Sequence, residues 1–221
     1  MQRTIDDITK FIIPEQFGTD EDEYGDTLRS VIDQVLNIGC EFAYGVSKFV
    51  ILLNDTEVVK IPFNGEFYWD NDSQGYDAFE EFNNITDYCQ VEANFYKEAV
   101  KWGIAEFFAG TRFVGYTKDH TPFYVSERVY KTLDDVWYSV SEESVQTARD
   151  YANSKKDFYW RRLSDHWLAI ALEKYGKERV DKFLDFLQQY DIDDLHQDNV
   201  GFREDGTPCL IDYSGWSEND C

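Results

Sequence analysis

The stretch DIDDLHQDNVGFREDGTPCLIDY, residues 191–213, constrains the fold more than any other part of this 221-residue chain. Asp194, His196, Asp198 and Asn199 sit on one short turn, and a hairpin then leads straight to another acid, Asp212. An acid withdrawn from water is costly unless a cation or hydrogen-bond donors compensate it. A fold that gathers these groups at the ends of two short strands needs a reason, and a metal ion, a phosphate or both would supply one. Asn199 to Phe202 and Cys209 to Ile211 read as the strands, with Glu204-Asp205-Gly206 as the turn between them.

Upstream of this turn the hydrophobic pattern is helical. In KERVDKFLDFLQQY, Val180, Phe183, Leu184 and Leu187 form one apolar stripe. SDHWLAIALEKYG, EESVQTARDYANS and TLDDVWYSV read the same way, so helices are expected from about Leu133 onward. Before that point the pattern changes. VSKFVILLNDTEVVKIPF reads as two strands, 48–53 and 57–63, about a turn at Asn54-Asp55, and NIGCEFAYG completes an antiparallel meander. A helix is expected over 88–101, with Val91, Phe95, Ala99 and Trp102 on its apolar face. TRFVGYTKDHTPFYVSERV then gives two more strands around Asp119. Near the N-terminus, Leu28, Val31, Ile32, Val35 and Leu36 recur at helical spacing, with Asp26 as the expected N-cap, behind a polar lead-in over 1–24 with little core. Residues 64–87 are acidic and read as an exposed, partly helical insert. The class is α+β. Three segments are expected: an N-terminal extension with a helix (1–34), a β-rich lobe (35–129, with the insert) and a short helical lobe (130–221).

Charge narrows the function. Forty-four acids face 21 bases, a formal net charge of -23. Direct binding to a nucleic-acid backbone or to an anionic membrane surface is therefore not expected. Two readings of the acidity remain: a solvated surface that confers solubility, or a surface that competes with nucleic acid for a basic protein partner. Aromatic residues make up 17% of the chain, which is enough to build a core. Cys40, Cys89, Cys209 and Cys221 form no Cys-x-x-Cys pair, so zinc is not suggested. The opening MQRTIDDITK lacks the basic and apolar pattern of a secretory leader, and no apolar run is long enough to span a bilayer. The expected compartment is the cytoplasm, with reduced thiols.

Asp194-Leu195-His196-Gln197-Asp198-Asn199 matches the Asp-x-x-x-x-Asn spacing of protein-kinase catalytic loops. Its wording, Asp-Leu-His-x-x-Asn, is closer to the aminoglycoside phosphotransferases and to other small kinase-like proteins of bacteria and phages. Leu210-Ile211-Asp212-Tyr213-Ser214-Gly215 resembles the metal-binding Asp motif that follows. The chain thus resembles the protein-kinase-like superfamily. The resemblance implies a bilobal fold with an antiparallel β N-lobe, one helix and a reduced helical C-lobe. It implies ATP and Mg²⁺ as cofactors, and the cytoplasm of a host cell if the chain is phage-encoded. Asp194 would be the base and Asn199 and Asp212 the Mg²⁺ ligands. His196 would reach the γ-phosphate. Lys60, in Val58-Val59-Lys60-Ile61, would pair with the nucleotide phosphates. Glu92 would be its helix partner, with Glu98 as the alternative. Gly39 and Gly45 fall where a glycine-rich loop should be. Residues 123–129, including Glu127, fall where adenine should be read.

Taken singly, Asp194 and Asp198 also suit ordinary turn acids, Asp212 a strand end and Lys60 an exposed strand lysine. Order and spacing together favour the nucleotide site. The chain also departs from the protein-kinase pattern. Asp193 replaces the usual arginine before the base, and the chain ends shortly after Asp212, so control by activation-loop phosphorylation is not expected. The function expected is phosphoryl transfer from ATP to a hydroxyl, of a protein Ser or Thr rather than a small molecule. The alternative is a non-catalytic acidic binder that blocks a basic, nucleic-acid-handling protein.

Overall fold

Alternation of apolar and polar side chains along the strand segments shapes the first of two units seen in the computed structural model. The structure describes residues 4–11, 21–44, 48–62, 66–70, 75–79, 87–130, 136, 138–155 and 163–214. One unit comprises residues up to Ala93 together with Thr111–Arg128; the other comprises Asn94–Gly110 and residues from Val129 onward.

The first unit is built on β1 (Glu41–Tyr44), β2 (Lys48–Leu52), β3 (Glu57–Pro62), β6 (Thr111–Tyr116) and β7 (Pro122–Glu127). They form one antiparallel sheet in the order β1-β2-β3-β7-β6. Phe49 pairs with Ile61, Ile51 with Val59, and Val59 with Val125, so the apolar residues share a face. That face packs against Val31, Ile32 and Val35 of α2 (Glu21–Asn37). The β2–β3 turn falls at Asn54, as its sequence suggests: Asn54 Oδ1 accepts from the backbone N–H groups of Thr56 and Glu57, both at 2.8 Å.

Three expectations are corrected here. The lead-in does contribute core: α1 (Ile5–Ile8) and the residues after it bury Ile8 and Phe11 in the same cluster. Helix α2 begins at Glu21, so Asp26 lies inside it and is not its N-cap. The apolar period starts only where Val31, Ile32 and Val35 meet the sheet. Within the insert, the described residues form a hairpin, β4 (Glu66–Asp70) paired antiparallel with β5 (Gly75–Phe79), and no helix. β5 lies alongside α2. The aromatic run Phe67-Tyr68-Trp69 favours strand over helix.

The other face of the sheet carries Lys48, Lys60, Thr111 and Ser126 among apolar residues and is covered by the first turns of α3 (Tyr88–Trp102). Asp87 starts this helix: its Oδ1 accepts from Gln90 N–H at 2.9 Å, and its Oδ2 accepts from the Tyr124 hydroxyl at 2.5 Å.

The second unit holds the later turns of α3, α4 (Glu142–Ser154), α5 (Asp165–Tyr175), α6 (Lys177–Gln189) and the hairpin β8 (Val200–Phe202) and β9 (Pro208–Leu210). Aromatic rings pack within its core. Phe107 stacks on Phe183 at 4.5 Å, Phe108 meets Tyr213 edge-on at 5.0 Å, and Trp167 is fully buried among them. The stripe read from the sequence of α6 is buried in this cluster, with Phe186 added to it. Most of the segment TLDDVWYSV lies outside the described residues. Among the described residues, no helix is long and apolar enough to cross a membrane.

Candidate functional site

The sequence-predicted residues fall into two groups, one in each unit. In the first unit, strand register decides the arrangement. Lys60 pairs with Val50 and Tyr124, Lys48 pairs with Pro62, and Ser126 pairs with both Val58 and Thr111. Alternation then places Lys48, Lys60, Ser126 and Thr111 on the face opposite the apolar cluster. Glu92 descends onto that face from α3 and is fully buried.

Glu92 is clamped at both oxygens. Lys60 Nζ donates to Oε2 at 2.6 Å, and Lys48 Nζ lies 2.7 Å from Oε1 as an ion pair outside hydrogen-bonding geometry. Thr111 Oγ1 is 3.2 Å from Oε2 and 3.0 Å from Ser126 Oγ. The Thr111 hydroxyl thus lies between Glu92, to which it donates, and the Ser126 hydroxyl. Lys48 and Lys60 are 4% and 5% exposed, so neither is a solvated surface lysine. The glutamate that meets Lys60 is Glu92; Glu98 instead pairs with Lys101 on the helix surface. Cys89 is buried nearby, and burial pushes its thiol well up, so it stays protonated and inert.

Gly39 has φ +69 and sits where α2 stops, with its N–H donating to Leu36 O at 2.8 Å and Cys40 N–H reaching Val35 O at 3.1 Å. The helix end accounts for its conformation. The residues after Cys40 are strand β1, and Gly45 lies outside the described residues. Glu127 ends β7 directly opposite Glu57, whose carboxylate is 3.6 Å from Arg112.

In the second unit the polar turn hangs from buried apolar anchors. Helix α6 closes through Asp191 in the left-handed region (φ +54), and Ile192 N–H returns to Leu187 O at 2.9 Å. Ile192 and Leu195 are fully buried, which fixes Asp193 and Asp194 between them at the rim. Asn199 Nδ2 donates to the Asp194 carbonyl at 2.9 Å, and the Asn199 carbonyl accepts from Ile211 N–H at 2.9 Å and, weakly, from Asp212 N–H at 3.5 Å. The turn and the strand end are thus laced together at Asn199. Asp212 sits between the buried Leu210 and Tyr213, whose hydroxyl donates to Ala109 O at 2.7 Å. Ser214 Oγ donates to Asp212 Oδ1 at 3.1 Å.

His196 Nδ1 accepts from Asp198 N–H at 3.2 Å, so the neutral ring carries its proton on Nε2, which is 3.4 Å from Asp194 Oδ1. The imidazole lies near both neighbouring aspartates.

The donor set suits a hard cation. Asn199 Nδ2 is already committed to Asp194, which leaves Oδ1 for an acceptor role, and Asp212 adds a carboxylate. Oxygen donors of this kind fit Mg²⁺, which keeps much of its water and binds through one or two protein groups plus phosphate oxygens. Among the described residues no group of three or more His, Cys, Asp or Glu gathers as an all-protein metal cage.

Lys48 is the residue that sequence reasoning missed. The signal was parity. With the turn at Asn54-Asp55, Val50 faces Lys60, and Lys48 lies two residues from Val50 on the same side.

No protein-family model matches the chain, and no curated protein matches it. Among solved structures it is similar to a SAICAR synthetase (type 2) in complex with ADP, at 13% identity and a TM-score of 0.33, over 78% of this chain and 80% of that one. A likeness that distant carries no argument about function.

Proposed function

We propose that this chain is a Mg²⁺-dependent phosphotransferase of the protein-kinase-like type, which moves the γ-phosphoryl group of ATP to a hydroxyl. The observation that carries the reading is the buried Lys60–Glu92 pair, made by a central strand and the helix that follows the meander. A buried ion pair adds little stability over a well-packed apolar substitute. Kinases depend on this strand-lysine to helix-glutamate pair to present an ammonium to the nucleotide phosphates. The laced turn of Asp194, Asn199 and Asp212 supports the same reading.

The roles follow from the chemistry of each group. Lys60 neutralises phosphate charge, and Glu92 sets its direction. Asn199 Oδ1 and the Asp212 carboxylate would hold Mg²⁺, which would supply neutralisation of phosphate charge when bound. Asp194 orients the acceptor hydroxyl and takes its proton as the new O–P bond forms and the bond to the β-phosphate oxygen breaks. His196, with Nε2 toward Asp194, steadies that carboxylate. The net charge of -23 favours an acceptor on a basic protein over an anionic small molecule.

The test is ATP consumption in the presence of Mg²⁺ and a lysine-rich, serine-containing protein, comparing wild type with Asp212→Asn. Turnover in the wild type and its loss in the variant are expected. The same net charge favours a second reading, a non-catalytic binder of a basic nucleic-acid-handling protein. Wild type that captures such a protein but never consumes ATP would establish that reading instead.

A further inference from the structure

Glu92 has two lysines where one would set the phosphate-binding ammonium. We infer that Lys48 is a positioning residue that keeps Glu92 oriented and paired with a cation while Lys60 turns toward a phosphate. The inference rests on the nucleotide reading of Lys60.

Each oxygen of Glu92 has its own cation. Oε2 holds Lys60 and the Thr111 hydroxyl, and Oε1 lies against Lys48. A phosphate that draws the Lys60 ammonium away leaves a fully buried carboxylate behind. With Lys60 as its sole cation, that departure would strand a buried charge, which is strongly unfavourable. With Lys48 in place, Glu92 keeps one cation on Oε1 and one hydroxyl donor on Oε2, so Lys60 can be shared with a phosphate. The arrangement follows from the sheet, since β2 and β3 place the two lysines on one face across a diagonal. Thr111 is itself held by Ser126, so the donor that remains on Oε2 is fixed.

The alternative chemistry is that Lys48 touches the phosphate itself. A double-mutant cycle separates the two. Affinity for Mg²⁺-ATP is measured by calorimetry on the full chain for wild type, Lys48→Met, Lys48→Arg, Glu92→Gln and the Glu92→Gln/Lys48→Met double variant. If Lys48 acts through Glu92, Lys48→Met weakens binding about tenfold. Lys48→Arg restores most of it, and the double variant binds no worse than Glu92→Gln alone. An unchanged Lys48→Met overturns the inference. So does a Lys48→Met loss of the same size in the Glu92→Gln background, which would make Lys48 a direct phosphate contact. If Lys48→Met does not fold, the comparison within the Glu92→Gln background, where no buried carboxylate remains at this position, decides the question. Wild type that binds no nucleotide removes the phosphotransferase reading itself, an outcome distinct from wild type that binds and is indifferent to Lys48.

Discussion

At the scale of single residues, the proposed roles make separable demands. In the proposed reaction Asp194 would meet the acceptor and not the nucleotide. Asp194→Ala should therefore lower turnover by about 10²–10⁴-fold, the usual contribution of a general base, and leave Mg²⁺-ATP affinity near that of wild type. Lys60→Ala should weaken both. Calorimetry beside steady-state rates checks the division, and an Asp194→Ala protein that loses ATP binding as fully as Lys60→Ala would break it. The sequence disclosed these residues unevenly. Asp194, Asn199 and Asp212 were legible because a short local segment holds all three, and its spacing is nearly the geometry. Glu92 was ambiguous with Glu98 because both lie on α3; the choice depends on which face of the helix meets the sheet, a tertiary fact. Lys48 escaped because a strand-initial lysine ordinarily points to water. Only the pairing of Val50 with Lys60 shows that it shares the buried face of Lys60.

At the scale of elements, two contacts tie the segments of the second unit together. Strand β8 lies against the segment after β7 through paired hydrogen bonds between Tyr130 and Phe202 at 2.9 and 2.8 Å. Gly201 allows that approach, because an added Cβ would stand 2.7 Å from both the Tyr130 carbonyl oxygen and Val129 Cγ1. Gly201→Ala should cost about 1–3 kcal/mol, the range for overpacking against backbone, and should lower the urea midpoint; an unchanged midpoint would show that the contact yields. Helices α4 and α6 are joined by Asp181, which accepts from the Tyr151 hydroxyl at 2.7 Å and pairs with Lys155. Burial pushes the Asp181 carboxyl up, but the hydrogen bonds from Lys155 and Tyr151 outweigh it and hold the group below its ordinary value. A depressed carboxyl contributes stability above the unfolded value of about 3.9 and loses it as pH falls through the folded value. The pair is partly exposed, so at most about 1 kcal/mol is expected from it. Asp181→Asn should lower Tm by about 2–4 °C at neutral pH, with the gap closing in acid; a gap that persists there would assign the effect to packing. Element boundaries were read well where pattern and packing coincide, as in α3, expected over 88–101 and found at Tyr88–Trp102. They were missed where they do not, as in the acidic first turns of α2, which no apolar period announces.

For the whole molecule, the dominant property is charge. With 44 acids against 21 bases, self-repulsion opposes compaction, and the surface field should draw in cationic macromolecules. Both effects are long-range and respond to salt. Raising ionic strength from about 0.01 to 0.15 M shortens the Debye length from about 30 to 8 Å, so Tm should rise over that interval. The same screening should weaken capture of a basic protein acceptor. The KM for a lysine-rich substrate protein should climb steeply with salt, while kcat and the KM for ATP move far less, because exposed charges act on encounter and the buried Lys60–Glu92 pair is shielded from ions. Besides Asp87, which caps α3, the acids of the insert are Glu66, Asp70, Asp72, Asp77, Glu80 and Glu81, interleaved with Phe67, Tyr68, Trp69, Tyr76, Phe79 and Phe82, a combination suited to a surface with basic and apolar patches. Replacing those acids with Asn and Gln should flatten the salt dependence of the protein KM and leave ATP affinity intact. If the neutralised protein keeps the wild-type KM and its salt slope, the insert takes no part in substrate capture, and its charge serves solubility alone.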